Sequence, residues 1–501
     1  MKAWTNRHET FTQPINDLYD LYNDATNSPI DEYNATTVLI QELIADAMRD
    51  HVRLRALGGG WSWTRIATTN GLMLNTKSLN SIFFVSPDKV AAQYLGQSGD
   101  LVFAQCGNSV QELNTYLKKK GRSLKTSGAS NGQTIVGAMS TGTHGSAFDF
   151  GAVQDFIVGM HIIVAPNRHV WLERKSYPVA SDIFIQLLKA EPIKDDALFN
   201  AALVSFGSFG FIHGVMLETE KIYLLECHRQ RVPYDDTLVQ LMETLDFSTT
   251  TFLPHGNERP FHFQVLLNPH DLVNGAYVTT MYKRVYRSDY TPPAVDTKGM
   301  GPGDDAPAFI GTITQMISAS TKAIVNTLIA SAYVPYSNVY GTLGEIFTNT
   351  DTRGKVLSAA IGIPLNQIKK VINILSQVQQ SHGPFAGVYA FRFVKGSLGT
   401  LAFTQFNPTC IVELDGVFSD KTNQFYDEVW RSLEAQGVPH TFHWGKIGDM
   451  TAGKITTMYG LRADEWVSAR NQLLTPAVCE VFTNPALETM GLNKVISATV
   501  A

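Results

Sequence analysis

Three stretches in the first 220 residues combine glycine with small hydroxyl side chains. The first is Gly58-Gly59-Gly60-Trp61-Ser62-Trp63; the second, residues 126–151, carries Ser127, Gly128, Ala129 and Gln133 and then Gly137 to Gly145; the third, residues 205–214, carries Gly207 and Gly210. Glycine lets backbone N–H groups approach a ligand closely, and neighbouring Ser and Thr add donors, which suits a pyrophosphate without a lysine. Any one stretch alone reads as a tight turn. All three together point to a dinucleotide, since the chain has neither a G-x-x-x-x-G-K-[ST] loop nor a clean strand-linked G-x-G-x-x-G. For proton transfer, His262 and Gln264 alternate with Phe261, Phe263 and Val265 and so share one face of an expected strand. His262 is a candidate general base if that face lines a pocket; a solvated strand face is the ordinary alternative. The other histidines show no H-E-x-x-H or paired spacing, and Cys106, Cys227, Cys410 and Cys479 stand singly. No metal site is expected, and the thiols read as free and buried.

The elements that must position these residues follow from periodicity. A chain of 501 residues, 44% hydrophobic and 17% charged, is too long for one ordinary core and too apolar for disorder. At a net charge of -5 nothing attracts a polyanion, so nucleic acid is not an expected partner. The start lacks the apolar core of a secretory signal, and the apolar stretch 306–336 is broken by Gln315 and Lys322. No membrane partner is expected, and a cytoplasmic location follows. Residues 36–50 have helical spacing with Asn34 as candidate cap, and residues 52–57 form a strand running into the glycines. Further strands are expected at 101–106, 155–165 and 211–226. Beyond Leu225 come longer strand-like runs at 259–269, 275–286, 387–394 and 410–418, separated by amphipathic helices such as 364–380. The Pro-, Gly- and Asp-rich stretch 291–308 reads as a surface loop that could be a lid.

Taken in order, the motifs resemble the vanillyl-alcohol oxidase superfamily of flavoproteins, with its PCMH-type FAD-binding domain, and in particular the aldonolactone and alditol oxidase branch. That family has a G-G-G-H-S loop followed by I-A-x-T-x-G, here Ile66 to Gly71. Its G-A-x-S-T-G-T-H-G segment is matched by Gly137, Ser140, Thr141, Gly142, Thr143, His144 and Gly145, and its G-x-x-G-x-I by Gly207, Gly210 and Ile212. His443-Trp444-Gly445-Lys446 and the closing phrase from Phe482 to Leu492 complete the series. The resemblance implies a two-domain α+β flavoprotein. Residues 1–220, completed by 471–501, would bind extended FAD; residues 221–470 would form a substrate domain on an antiparallel sheet covered by helices. The partners implied are a small-molecule substrate and molecular oxygen or another electron acceptor.

Two departures from the family bear on function. The residue after the third glycine is commonly a histidine bonded to the flavin; here it is Trp61, and indole nitrogen is a poor nucleophile, so the resemblance implies non-covalent FAD with Trp61 packed on the ring edge. Sugar-oxidising members carry Glu-x-Arg on a strand facing the flavin, and the matching residues here are Ala390-Phe391-Arg392. Arg392 keeps its face while the carboxylate is missing, which argues for a less polar, non-sugar substrate, with an alditol or aldonolactone oxidoreductase as the alternative. A flavin-binding protein without turnover is the reading from another class. The resemblance gives Arg392 and Lys446 charge-stabilising roles, although a lysine without that context reads as surface. His443 or His262 is the expected base, and His144 is read as holding its turn. Tyr389 and Phe391, on the opposite strand face, are expected in the core.

Overall fold

The computed structural model describes residues 2–23, 28–294, 301–303, 321–352 and 354–495. Its first long helix, Pro29–Asp50, begins earlier than the periodicity alone places it. Pro29 supplies a fixed φ where no donor is needed, and Asp31 and Glu32 sit in the positive first turn. Asn34 therefore lies inside the helix, not at its cap, and its side chain donates to the Leu187 carbonyl at 3.0 Å. Tyr33, Thr36, Thr37, Ile40, Ile44 and Ala47 form the buried stripe. The chain then enters strand Leu54–Leu57, which pairs in parallel with Leu72–Ser78, itself parallel to Asp17–Tyr22.

A six-stranded sheet stands beside this one, ordered Glu191–Lys194, Arg168–Glu173, Ile157–Ala165, Phe211–Glu218, Leu101–Gln105, Ile82–Phe84. The single strand expected over 211–226 is instead two long strands and a short one. Phe211–Glu218 stays in this sheet and Tyr223–Val232 passes into the next. That third sheet has eight strands in the order Tyr336–Gly341, Tyr223–Val232, Ala276–Val285, His262–Leu267, Gly387–Val394, Thr409–Val417, Val356–Pro364, Thr441–Phe442, paired antiparallel throughout. Alternation gives its central strands two distinct faces. Tyr389 stacks on Phe385 and on Phe425 of helix Asp420–Ala435, so its face is the one that helices cover. Ala390, Arg392 and Glu413 occupy the other face, toward the glycine loops. The stretch 291–308 falls mostly outside the described residues.

The last helices brace the first 220 residues. Trp466, on Leu461–Leu473, donates to the Val204 carbonyl at 3.0 Å, and buried Arg470 holds the Ser208 and Cys479 carbonyls. Asn484 caps helix Pro485–Thr489 and donates to the Ile66 and Thr68 carbonyls at 2.9 and 2.7 Å. We propose that the helices from Leu461 onward belong with the first 220 residues. All four cysteines are buried and free. Among the described residues no helix is long and apolar enough to cross a membrane.

Candidate active site

Packing explains why the bulkiest side chains follow the smallest. A Cβ on Gly58 would lie 2.1 Å from the Thr134 hydroxyl, and one on Gly59 would lie 2.7 Å from the Gly132 carbonyl, so the first two loops touch through bare backbone. Trp61 turns its indole onto that contact; a Cβ on Gly132 would meet the ring at 2.5 Å. The Arg7 guanidinium lies 5.4 Å from the same ring, and His8 stacks on Trp63 at 3.7 Å between ring centres. The turn is also clamped from the substrate side: Trp63 N–H donates to the Gly445 carbonyl at 2.8 Å, and the Thr64 hydroxyl donates to the Trp444 carbonyl at 2.9 Å. Gly207 and Gly210, at φ 68° and 95°, complete the third loop in backbone conformations that favour glycine.

These loops line one open cavity of about 1530 Å3 including its mouth. Its wall holds a residue the motif reading missed. Arg55, on the strand before the glycines, is buried and gives one N–H group to the Phe206 carbonyl at 2.5 Å. Its Nε and Nη2 have no hydrogen-bond partner among the described residues. Burial, with Arg470 nearby, pulls this guanidinium down to about 9. A buried cation with two unused donors fits the pyrophosphate of a dinucleotide. The signal was an arginine in an otherwise apolar strand, Leu54-Arg55-Ala56-Leu57.

At the other end of the cavity five ionisable side chains converge: Arg392, Glu413, Lys446, His144 and His443. Arg392 keeps the face expected of it, but the residue that completes the site is Glu413, which lies directly across from Ala390 in the neighbouring strand. Its carboxylate is 2.5 Å from Lys446 Nζ and 3.2 Å from Arg392 Nε, and all three side chains are buried. Burial opposes the charge on Glu413, but the two cations outweigh it and hold the carboxyl well below the usual range. The carboxylate absent from position 390 is thus supplied one strand over. Nothing in the Glu-x-Arg comparison could reveal this. The available signal was Glu413-x-Asp415 inside an apolar run, two acids on one strand face.

The imidazoles differ in tautomer. His443 Nδ1 accepts the Gly445 N–H at 3.0 Å, so its neutral ring carries the proton on Nε2. His144 Nδ1 donates to the Gly145 carbonyl at 3.0 Å, which leaves Nε2 as the acceptor nitrogen, 3.6 Å from Glu413. Burial lowers both, His144 to about 4. His262 is buried in the sheet and is not among the cavity-lining residues, so neither its expected role as base nor a solvated face describes it. Its strand lies on the far side of Arg392's, and the face that would expose it is covered, with Phe347 5.9 Å away.

The remaining candidates, Gly58 to Trp63, Gly128, Ala129, Gln133, Gly137, Ser140, Thr141, Thr143, His144, Gly207, Gly210, Ile212, Arg392, His443 and Lys446, all line the cavity. Ser127, Gly142 and Gly145 stand behind its wall and shape the loop. The Ser127 hydroxyl donates to Asn131 at 2.6 Å, Gly142 ends helix Ile135–Thr141 at φ 81°, and Gly145 packs against the Ser127 carbonyl.

A family model described as "FAD binding domain" matches residues 35–173. Among curated proteins, L-gulono-1,4-lactone dehydrogenase of Mycobacterium tuberculosis is 28% identical over 253 residues, 50% of this chain and 48% of that one. L-gulonolactone oxidase 3 of Arabidopsis thaliana is 29% identical over 195 residues, 38% of this chain and 28% of that one. The chain therefore spans about half, or less, of the length of the curated relatives it matches. Among solved structures, cholesterol oxidase from B. sterolicum superposes with a TM-score of 0.67 over 97% of this chain and 96% of that one at 14% identity, a likeness of fold. The matched domain, the relatives and a cavity whose donors suit a dinucleotide lead to one conclusion: residues 35–173 form an FAD binding domain, and the cofactor is FAD.

Proposed function

We propose that the protein is an FAD-dependent oxidoreductase acting on a small polyhydroxylated substrate of the alditol or aldonolactone type, taking hydride from a C–H next to oxygen, with FAD held non-covalently. One observation carries the substrate class: the ionised Glu413 carboxylate between Arg392 and Lys446 at the cavity wall. The non-sugar expectation rested on a missing hydroxyl acceptor, and Glu413 supplies one. The lactone-oxidising relatives agree with this reading.

Bound FAD supplies the acceptor for two electrons. The chain's own residues do the rest. Glu413 accepts a hydrogen bond from a substrate hydroxyl and orients it. Arg392 and Lys446 carry one positive charge more than Glu413 neutralises, which favours negative charge developing in the site. His443 is a donor through Nε2–H and not a base. His144 offers the acceptor nitrogen, and a proton taken there faces the Glu413 carboxylate, which stabilises it. Trp61 and Trp63 exclude water from the loop side. Dioxygen or another acceptor then removes the electrons.

Anaerobic bleaching of the purified yellow protein tests the proposal. An aldonolactone or alditol is expected to bleach wild-type flavin, and Glu413→Gln to slow the bleaching about 10²-fold or more. Bleaching by apolar alcohols alone would restore the non-sugar reading, and flavin that no substrate reduces would favour a binding protein without turnover.

A further inference from the structure

Away from the cavity, three side chains have the make-up and spacing of metal ligands. Glu226 and His228 alternate along strand Tyr223–Val232 and so share a face, while His255 comes from the connection between helix Asp236–Thr244 and strand His262–Leu267. Glu226 Oε1 lies 3.1 Å from His255 Nε2 and 3.4 Å from His228 Nε2, and neither nitrogen makes a hydrogen bond. Tetrahedral bonds of about 2.0–2.1 Å separate neighbouring ligand atoms by about 3.3–3.4 Å. Both distances from Glu226 match that spacing, and all three candidate ligand atoms lie within 4.8 Å of one another.

The surroundings prepare the donors. Arg284 holds Glu226 Oε2 at 2.7 Å and is itself held by Glu258, and the Tyr340 hydroxyl also bonds the Glu226 carboxylate, so the carboxylate is fixed in orientation beside the two imidazoles. Glu226 and His228 are each 3% exposed, whereas His255 is partly exposed and leaves a route for the ion and a fourth corner for water.

We propose that Glu226, His228 and His255 bind one divalent transition-metal ion of the zinc type, since two imidazoles and a carboxylate suit zinc better than calcium or magnesium. None of the three lines the flavin cavity, so the ion acts as a clip between the 245–261 connection and the eight-stranded sheet. Sequence spacing gave no sign of it, because His255 is remote from the other two. Binding has a local structural consequence. Asn338 N–H approaches His228 Nδ1 at 3.4 Å, and coordination through Nε2 puts a proton on Nδ1, so this contact must open.

The test uses the full-length, flavin-loaded protein, treated with chelator and titrated with zinc chloride by calorimetry, followed by metal analysis after dialysis. One zinc per chain and a melting temperature raised by about 2–4 °C are expected. His255→Gln, at the partly exposed ligand, should weaken zinc binding at least ten-fold without changing flavin content, and His228→Gln should do the same if it folds. Wild-type protein that retains no zinc, calcium that binds as tightly as zinc, or His255→Gln that retains zinc like wild type would each overturn the proposal.

Discussion

Moving the Glu413 carboxylate back across the sheet tests the central feature of the site. Glu413→Ala removes the counter-ion of two buried cations, Arg392 at 3% and Lys446 at 8% exposure. Removing one partner of a buried ion pair costs about 3–5 kcal/mol, and at about 2 °C per kcal/mol for a large domain the melting temperature should fall by about 6–10 °C. Ala390 faces Glu413 directly in the antiparallel register, and Cβ atoms of such a pair stand about 4.5–5.5 Å apart. The double variant Glu413→Ala with Ala390→Glu therefore places a carboxylate within reach of the same cations, in space the first change vacates. It should recover more than half of the loss, and the two changes should be strongly non-additive. The assay is thermal unfolding of the four proteins of the cycle, each checked for flavin content. A Glu413→Ala loss below about 1 kcal/mol, or a double variant no more stable than that single one, would refute the claim that one carboxylate serves from either strand.

Three further outcomes are expected. On acid precipitation the flavin colour should pass wholly to the supernatant; colour in the pellet would overturn non-covalent binding, and His8, edge-on to Trp61 and stacked on Trp63, would be the first residue to replace. His144→Asn retains a side-chain N–H for the Gly145 carbonyl but lacks the acceptor imidazole nitrogen, so anaerobic flavin reduction should slow about 10²-fold at unchanged flavin content; an unchanged rate would remove His144 as proton acceptor. Stability should fall steeply with acid, because His8, His213 and His262 are pulled down to about 3 and His144 to about 4 by burial. Above pH 6.5 neither state binds these protons. Between 6.5 and the folded values only the unfolded chain does, at up to about 1.4 kcal/mol per pH unit for each group. Melting temperatures that stay flat from pH 7 to 5 would contradict this.

What was legible in the sequence, and what was not, divides along local and non-local chemistry. The glycine loops could be read because their function requires particular backbone conformations at fixed offsets, and Gly60, Gly207 and Gly210 do adopt positive φ. The antiparallel sheet could be read from alternation, which also put Arg392 on the site face and Tyr389 and Phe391 in the core. Register escaped the reading, because alternation says which face a residue takes but not which residue stands across from it. That is how the absence of a carboxylate at Ala390 came to argue against a sugar, when Glu413 stood opposite in the next strand. The same gap hid Arg55, whose two unused donors acquire meaning only once Phe206 and the third glycine loop close over it. It also promoted His262, whose strand face is correct but whose position along the strand lies under Phe347 and off the cavity. Charged residues inside apolar strands are expensive to bury, so Arg55 and Glu413 were conspicuous in the sequence even before their partners were known. Because burying either one alone is unfavourable, each implies an opposite charge contributed by another part of the fold or by the ligand. For Glu413 that charge is Arg392 and Lys446; for Arg55 the pyrophosphate of FAD is the anion that fits.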